Sequence, residues 1–250
     1  MVHFVGAGPG AKDLITLRGM NLIKEAKVII YAGSLVNAKI LEYAGKDALI
    51  YNSAYMTLEE VIDVIKKAEK DGYDTVRLHT GDPSIYGAVR EQMDILDNNN
   101  IDYDICPGVS SFCGAAAALG IEYTLPSVSQ SLIITREEGR TPVPESEKLC
   151  ELAKHGATMV LFLSSGLAEK TRESLLKGNY DKNTPVAVVY KATWEDEKII
   201  MSTVENFPED MAEAGINKTA LIIVGNVLGS EYERSKLYDP SFTTGYRKGN

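Results

Sequence analysis

Three short loops hold the residue types from which a ligand site could be built. They are Gly6-Ala7-Gly8-Pro9-Gly10-Ala11, His79-Thr80-Gly81-Asp82-Pro83-Ser84-Ile85-Tyr86-Gly87 and Pro107-Gly108-Val109-Ser110-Ser111-Phe112. Each follows a β-branched run and precedes a helical pattern, the position at which open α/β sheets bind ligands. The first loop fits a dinucleotide fingerprint, with Ala11 in the place of the third glycine. The acidic residue such a site needs about 20 residues later is missing, since Tyr31-Ala32-Gly33-Ser34 stands there. Lys12-Asp13 does not supply the Gly-Lys-Ser/Thr ending of a phosphate-binding loop either. A tight strand-to-helix turn with unusual φ values is the plainer reading. In the second loop Asp82 and Ser84 are suited to turns and caps, while Ile85 and Tyr86 could line a pocket. The third is no nucleophile elbow, because Phe112 stands where glycine is required. Ser110 or Ser111 caps the alanine-rich helix that ends near Leu119, and its terminal N–H groups remain open to a ligand.

A fourth segment, Thr135-Arg136-Glu137-Glu138-Gly139-Arg140-Thr141-Pro142-Val143-Pro144, offers two guanidinium groups. Arg136 and Arg140 either hold an anionic substrate bidentately or belong to a solvated charged loop. Cys106, Cys113 and Cys150 match neither a zinc spacing nor a redox pair and read as buried small hydrophobes. His3, His79 and His155 are far apart in sequence, so no metal site is expected.

The elements around these loops suggest two domains, residues 1–125 and 126–250. In the first, strand-like runs at 2–5, 28–31, 48–51, 75–78 and 103–106 alternate with helical patterns. That alternation predicts a mainly parallel sheet with helices on its faces. The clearest helix starts near Thr57 with a capping box to Glu60 and stops at Gly72. Residues 121–130 form a linker containing Pro126. Beyond it, runs at 132–135, 158–163, 186–190, 198–202 and 221–224, with helices at 147–154 and 204–214, predict a mixed-sheet α/β domain. The run at 186–190 pairs with that at 198–202 as a hairpin across 194–197, and the tail from Tyr238 is weakly anchored.

A formal charge of −9 from 35 acidic and 26 basic residues repels nucleic acid and anionic lipid. The apolar runs are strand-sized, well short of the roughly 20 residues that span a bilayer, and the first residues lack a secretory pattern. A cytoplasmic protein with neither nucleic-acid nor membrane partner is expected.

In order along the chain, Val5 to Gly10, Tyr31-Ala32-Gly33-Ser34-Leu35-Val36, the run from Leu78 to Gly87, Pro107 to Phe112 and Thr135 to Pro144 form a set. By that set the chain resembles the tetrapyrrole methylases, and among them the branch that methylates precorrin-4 or cobalt-precorrin-4 at C11 in cobalamin biosynthesis. The resemblance implies the two-domain fold of that family, with an active-site trough between the domains, and a homodimer. It also implies S-adenosylmethionine as methyl donor, leaving as S-adenosylhomocysteine, and an anionic corrin precursor as substrate. Carried over position by position, the cofactor contacts fall on Pro9, Thr80, Gly81, Asp82, Ile85, Ser110, Ser111, Leu163 and Ala192. Leu163 stands where relatives often have methionine. No catalytic base is assigned, although His79 and Asp82 are near the site. Another methylase of the same fold and a non-catalytic tetrapyrrole-binding module are the alternatives, with an NAD-dependent oxidoreductase a distant third.

Overall fold

In the computed structural model, which describes all of residues 1–250, ten strands form two five-stranded sheets. Met1–Gly114 together with Lys191–Asp196 makes one compact unit, and Ala115–Tyr190 with Glu197–Asn250 makes another.

The first sheet contains β1 (Val2–Gly6), β2 (Val28–Tyr31), β3 (Leu49–Asn52), β4 (Thr75–His79) and β5 (Tyr103–Cys106). All pairings are parallel, in the order β3-β2-β4-β1-β5. The intervening helices are α1 (Leu17–Glu25), α2 (Leu58–Lys70) and α3 (Arg90–Asn98), with α4 (Ser111–Leu119) following β5. Strand alternation sends Val5, Ile29, Val76 and Leu78 to one face, where Ile23 of α1 covers them. It sends Val2, Phe4, Val28 and Ile30 to the other face, against Val61 and Ile65 of α2 and Leu96 of α3. Helices therefore cover both faces, as the alternating pattern requires. The chain leaving β1 runs to one face and the chain leaving the adjacent β4 runs to the other. Between these strand ends lies the crevice that such sheets use for ligands.

Helix α2 shows how locally this order is written. Thr57 Oγ1 accepts from the Glu60 N–H, and the Glu60 carboxylate accepts from the Thr57 N–H at 2.7 Å. By contrast, the first glycine loop does not open directly into α1. A 3₁₀ turn at Lys12–Leu14 intervenes and Thr16 caps the helix, so no helix dipole is aimed at that loop as in a dinucleotide fold.

The second sheet contains β6 (Leu132–Arg136), β7 (Thr158–Phe162), β8 (Pro185–Tyr190), β9 (Lys198–Thr203) and β10 (Ala220–Val224), in the order β6-β7-β10-β8-β9. β6 and β7 are parallel and the other pairings antiparallel, so the sheet is mixed. Met159, Leu161, Val186, Val188, Ile222 and Val224 pack against α5 (Leu149–Leu152), α6 (Ala168–Lys177) and α7 (Phe207–Glu213). α5 is shorter than the helix expected at 147–154, which continues as a 3₁₀ turn at Ala153–His155. The cysteine expectation is corrected in part, since Cys106 is buried but Cys113 is exposed and Cys150 half-buried. No helix is long and apolar enough to cross a membrane.

β4 carries two ionisable side chains into the core, Arg77 and His79, exposed by only 7% and 4%. Burial, reinforced by the nearby Arg77 charge, pushes His79 down to about 3 from its ordinary 6.5, against a raising hydrogen bond with the Gly87 backbone. Between those two pH values the unfolded chain binds a proton that the folded chain refuses. Stability therefore falls on acidification through that window and returns as pH rises, by about 1.4 kcal/mol per pH unit. Urea unfolding near pH 7 and near pH 5 should show the wild type losing about 2 kcal/mol more than His79→Gln.

Candidate functional site

The loops after β1, β4 and β5 meet through their backbones. Ala7 N–H donates to the His79 carbonyl at 2.7 Å, and Gly8 and Gly81 exchange hydrogen bonds at 3.2 and 2.9 Å. A Cβ on Gly6 would lie 2.6 Å from both Gly108 Cα and the Gly81 oxygen. A Cβ on Gly108 would lie 2.2 Å from the Gly81 oxygen. Gly81 has φ +60°, the left-handed region that glycine enters without penalty, and its missing Cβ faces Ser110 and Ser111. Gly6 and Gly108 thus let the loops approach more closely than side chains would allow, and Gly81 lets the second loop turn.

Asp82 completes the junction. Its Oδ2 accepts from the Gly108 N–H at 2.8 Å and its Oδ1 from the Ser84 N–H at 2.9 Å and the Ser84 hydroxyl. Partial burial would raise the Asp82 pKa, but these bonds outweigh it and hold the carboxyl below the usual aspartate value. Asp82 is consequently an anion whose two oxygens are already engaged. His79 is neutral, faces the α2 and α3 side beside Phe4, and is nearly sealed from solvent. His79 Nε2 has no partner but is sealed from solvent, and both Asp82 oxygens are engaged, so neither offers the accessible basic atom that a general base needs.

The rest of the second loop is braced from below. Arg77 Nε donates to Gln92 Oε1 at 3.1 Å, Arg77 Nη1 to the Ile30 carbonyl at 3.2 Å, and Gln92 Nε2 to the Ala88 carbonyl at 2.8 Å. Burial lowers the Arg77 pKa to about 10, which leaves it charged at neutral pH. Tyr86 and Ala88 both have positive φ, so the bracket holds a loop with two strained non-glycine residues.

Of the residues singled out in the sequence, Pro9, Thr80, Gly81, Asp82, Ile85, Ser110, Ser111 and Ala192 all lie in the first unit. Pro9, Gly81 and Ser110 are buried, while Thr80, Asp82, Ile85 and Ser111 are half-buried. The Ser110 carbonyl accepts from the N–H groups of Cys113 and Gly114, which puts Ser110 at the cap of α4. The Ala192 carbonyl lies 2.9 Å from where a Gly10 Cβ would stand. Leu163 belongs to the second unit, just after β7, and is 62% exposed with φ +52°.

Arg136 and Arg140 part company. Arg136 Nη1 donates to the Thr141 carbonyl at 3.1 Å and the Glu137 carbonyl at 3.4 Å, and Nη2 to the Pro142 carbonyl at 2.8 Å. It therefore folds its own loop. Arg140 is exposed and pairs with no carboxylate. Lys170 supplies a second cation to this loop, donating to the Glu138 carbonyl at 2.5 Å and lying 3.3 Å from Glu137 Oε1. Sequence reasoning missed Arg77, Gln92 and Trp194. The only available signals were a charged residue inside a strand of the parallel sheet and the chain's single tryptophan.

The profile of the tetrapyrrole (corrin/porphyrin) methylases matches residues 1–208. A cobalt-precorrin-4 C(11)-methyltransferase of Methanocaldococcus jannaschii is 57% identical, over 100% of this chain and 96% of that protein. The X-ray structure of a cobalamin-biosynthetic cobalt-precorrin-4 methyltransferase superposes with a TM-score of 0.89 at 45% identity, covering 92% of this chain and 96% of that one. A uroporphyrin-III C-methyltransferase of Thermus thermophilus, solved with S-adenosylhomocysteine, gives a TM-score of 0.77 at 26% identity, covering 91% and 93%.

The glycine junction predicts a sharp asymmetry between glycines. Gly108→Ala drives a Cβ into the backbone oxygen of Gly81 and should cost about 1–3 kcal/mol of stability, as overpacking does. Gly139→Ala, whose Cβ would meet only the flexible end of Leu167 at 3.2 Å, should change stability little. Urea denaturation of the two variants measures the contrast.

Proposed function

We infer that the chain, which belongs to the tetrapyrrole (corrin/porphyrin) methylase family, transfers the methyl group of S-adenosylmethionine to C11 of cobalt-precorrin-4 or its metal-free counterpart. The observation that carries this reading is the glycine-locked meeting of the loops after β1, β4 and β5. It gathers Thr80, Gly81, Asp82, Ser110 and Ser111 at one sheet edge, where a Cβ on Gly6 or Gly108 would force the loops apart. These residues fit a ligand with both polar and apolar parts, such as this cofactor. Pro9, Ile85 and Ala192 add apolar contact in the first unit.

S-adenosylmethionine brings an already activated methyl group. The chain's own task is therefore to hold and align its ligands, which supports turnover without a protein nucleophile. Alignment of reactants can contribute several kcal/mol, roughly 7–11 in well-oriented intramolecular cases. The rigidity of the junction is what makes such alignment achievable. Asp82 contributes as a fixed anion that orders the loop, with the proton balance left to groups other than His79.

Corrin precursors carry several carboxylates. Arg140, exposed and unpaired in a loop that Arg136 shapes, is the cation best placed to receive one. The name and 57% identity of the archaeal relative favour the cobalt-containing substrate, in which the metal belongs to the substrate. The same reading makes the protein a cytoplasmic homodimer. The exposed edge strand β9, with Ile199 and Met201 at 41% and 56% exposure, supports an apolar surface covered by a second copy.

Incubation with methyl-labelled S-adenosylmethionine and each tetrapyrrole, followed by mass spectrometry, tests the function. The expected result is one added methyl on cobalt-precorrin-4 with release of S-adenosylhomocysteine. Ligand uptake without product would mean a binding module instead. Arg140→Ala should weaken tetrapyrrole binding by about 1–3 kcal/mol and leave S-adenosylhomocysteine affinity unchanged. Arg136→Ala should also lower the melting temperature, because it removes the bonds that fold the loop. Equal tetrapyrrole affinity in wild type and Arg140→Ala would remove Arg140 from the site.

A further inference from the structure

The segment Lys191–Asp196 folds as part of the first unit, and its contacts converge on the first glycine loop. Trp194 Nε1 donates to the Pro9 carbonyl at 3.1 Å, and Thr193 Oγ1 accepts from the Ala11 N–H at 3.0 Å. Asn37 Nδ2 donates to the Gly10 carbonyl at 3.0 Å, and Lys39 pairs with Glu195. Three consecutive backbone residues are thus held by side chains from distant parts of the chain.

Packing reinforces the polar contacts. A Cβ on Gly10 would lie 2.0 Å from Trp194 Cδ1, so the indole occupies the space a side chain there would need. A Cβ on Gly114 would lie 2.8 Å from Pro9 Cβ and 3.2 Å from Thr193 Cγ2. Gly114 sits inside α4, where glycine costs about 1 kcal/mol relative to alanine. Lys191 and Thr193 both have positive φ, at +48° and +68°, a strain that persists only where surrounding contacts enforce it. Lys191 Nζ lies 5.1 Å from the Trp194 ring centroid and pairs with Asp196 at 2.5 Å, which fixes the indole from its outer side. Two glycines without side chains and two strained residues all accommodate one contact, that of Trp194 and Thr193 with Pro9 and Gly10.

We propose that Trp194 is a positioning residue for the methyl donor: by filling the space above Gly10 and holding the Pro9 carbonyl, it fixes Pro9 and its own neighbour Ala192 where the cofactor meets them. The inference rests on the cofactor site proposed above. It requires no contact between Trp194 and the cofactor. Pro9 and Ala192 are far apart in sequence, and the indole is the body that sets their spacing.

Titration with S-adenosylhomocysteine by calorimetry, together with steady-state kinetics, tests this. Trp194→Phe keeps most of the ring and loses the bond to Pro9, so its Kd should rise about fivefold, the worth of one hydrogen bond. Trp194→Ala should raise Kd by about tenfold or more. In both, KM for S-adenosylmethionine should rise in step with Kd while kcat at saturation stays within about twofold. Gly10→Ala should bind at least as poorly as Trp194→Ala. The double variant Gly10→Ala with Trp194→Ala should bind better than Gly10→Ala alone, because the 2.0 Å clash goes with the indole and only the 2.9 Å approach to the Ala192 carbonyl oxygen remains. Unchanged Kd in folded Trp194→Phe and Trp194→Ala, or a Gly10→Ala defect that the double variant fails to relieve, would overturn the inference. A fall in kcat and melting temperature at constant KM would also overturn it, since that is the signature of a purely structural role. Failure of the wild type itself to bind S-adenosylhomocysteine would instead overturn the cofactor site.

Discussion

The close approach of Gly6, Gly81 and Gly108 is the constraint on which the rest of the site depends. Adjacent strands in a sheet are held about 4.8 Å apart by their hydrogen bonds, but beyond the strand ends nothing fixes the spacing of the loops. Here the backbones themselves supply the spacing, through the Gly8 and Gly81 exchange and the Gly108 N–H bond to Asp82. Glycine is entropically the costliest residue to order. The hydrogen bonds made across the junction offset that cost; a Cβ on Gly6 or Gly108 would run into the facing backbone, and at Gly81 a side chain would meet the strain of φ +60°. Asp82 follows from the same geometry, because a carboxylate that accepts three bonds from two loops is both ionised and immobile.

Beneath the junction, β4 places a cation where an ordinary strand of a parallel sheet has only apolar groups. A buried guanidinium loses several kcal/mol of hydration. Arg77 recovers part of it from carbonyl and amide oxygens, and each partner ties a different element, β2 through Ile30 and α3 through Gln92. Gln92 then passes the constraint to Ala88, at the exit of the second loop. Burial keeps His79 neutral, and the Arg77 charge two residues away on the same face adds to it. The loop's shape is therefore underwritten by side chains buried beneath it.

Most of this fold was legible because its strands are dense β-branched runs and α2 has both a cap and a wide apolar stripe. Helix α6 was not, since it buries only Thr171 and Leu175 and presents little periodicity. The three loops were legible as candidates from their composition, and the resemblance supplied the roles expected of them. Their mutual contacts were not, because the distance between Gly6, Gly81 and Gly108 is a product of strand order, with β1 between β4 and β5. Trp194 read as part of a hairpin turn, and the strands do pair as that hairpin, yet the turn folds with residues more than 180 positions earlier. Arg136 and Arg140 looked equivalent in sequence. Only the fold shows that one spends its donors on its own loop.

An acidic chain that accepts a polycarboxylate looks electrostatically wrong, and the resolution lies in range. At physiological salt the field of the −9 charge is screened within about 8 Å. Many acidic side chains are also locally neutralised, as in Lys12 with Glu42, Arg172 with Glu169 and Glu209, and Lys191 with Asp196. The residual repulsion acts mainly on the approach of a charged substrate and so on its association rate. Affinity is decided at contact distance, within a Debye length, where the field of distant carboxylates counts for little. Net charge thus bears on nucleic acid, which needs an extended basic surface, far more than on a small anion that is held at a few points of contact.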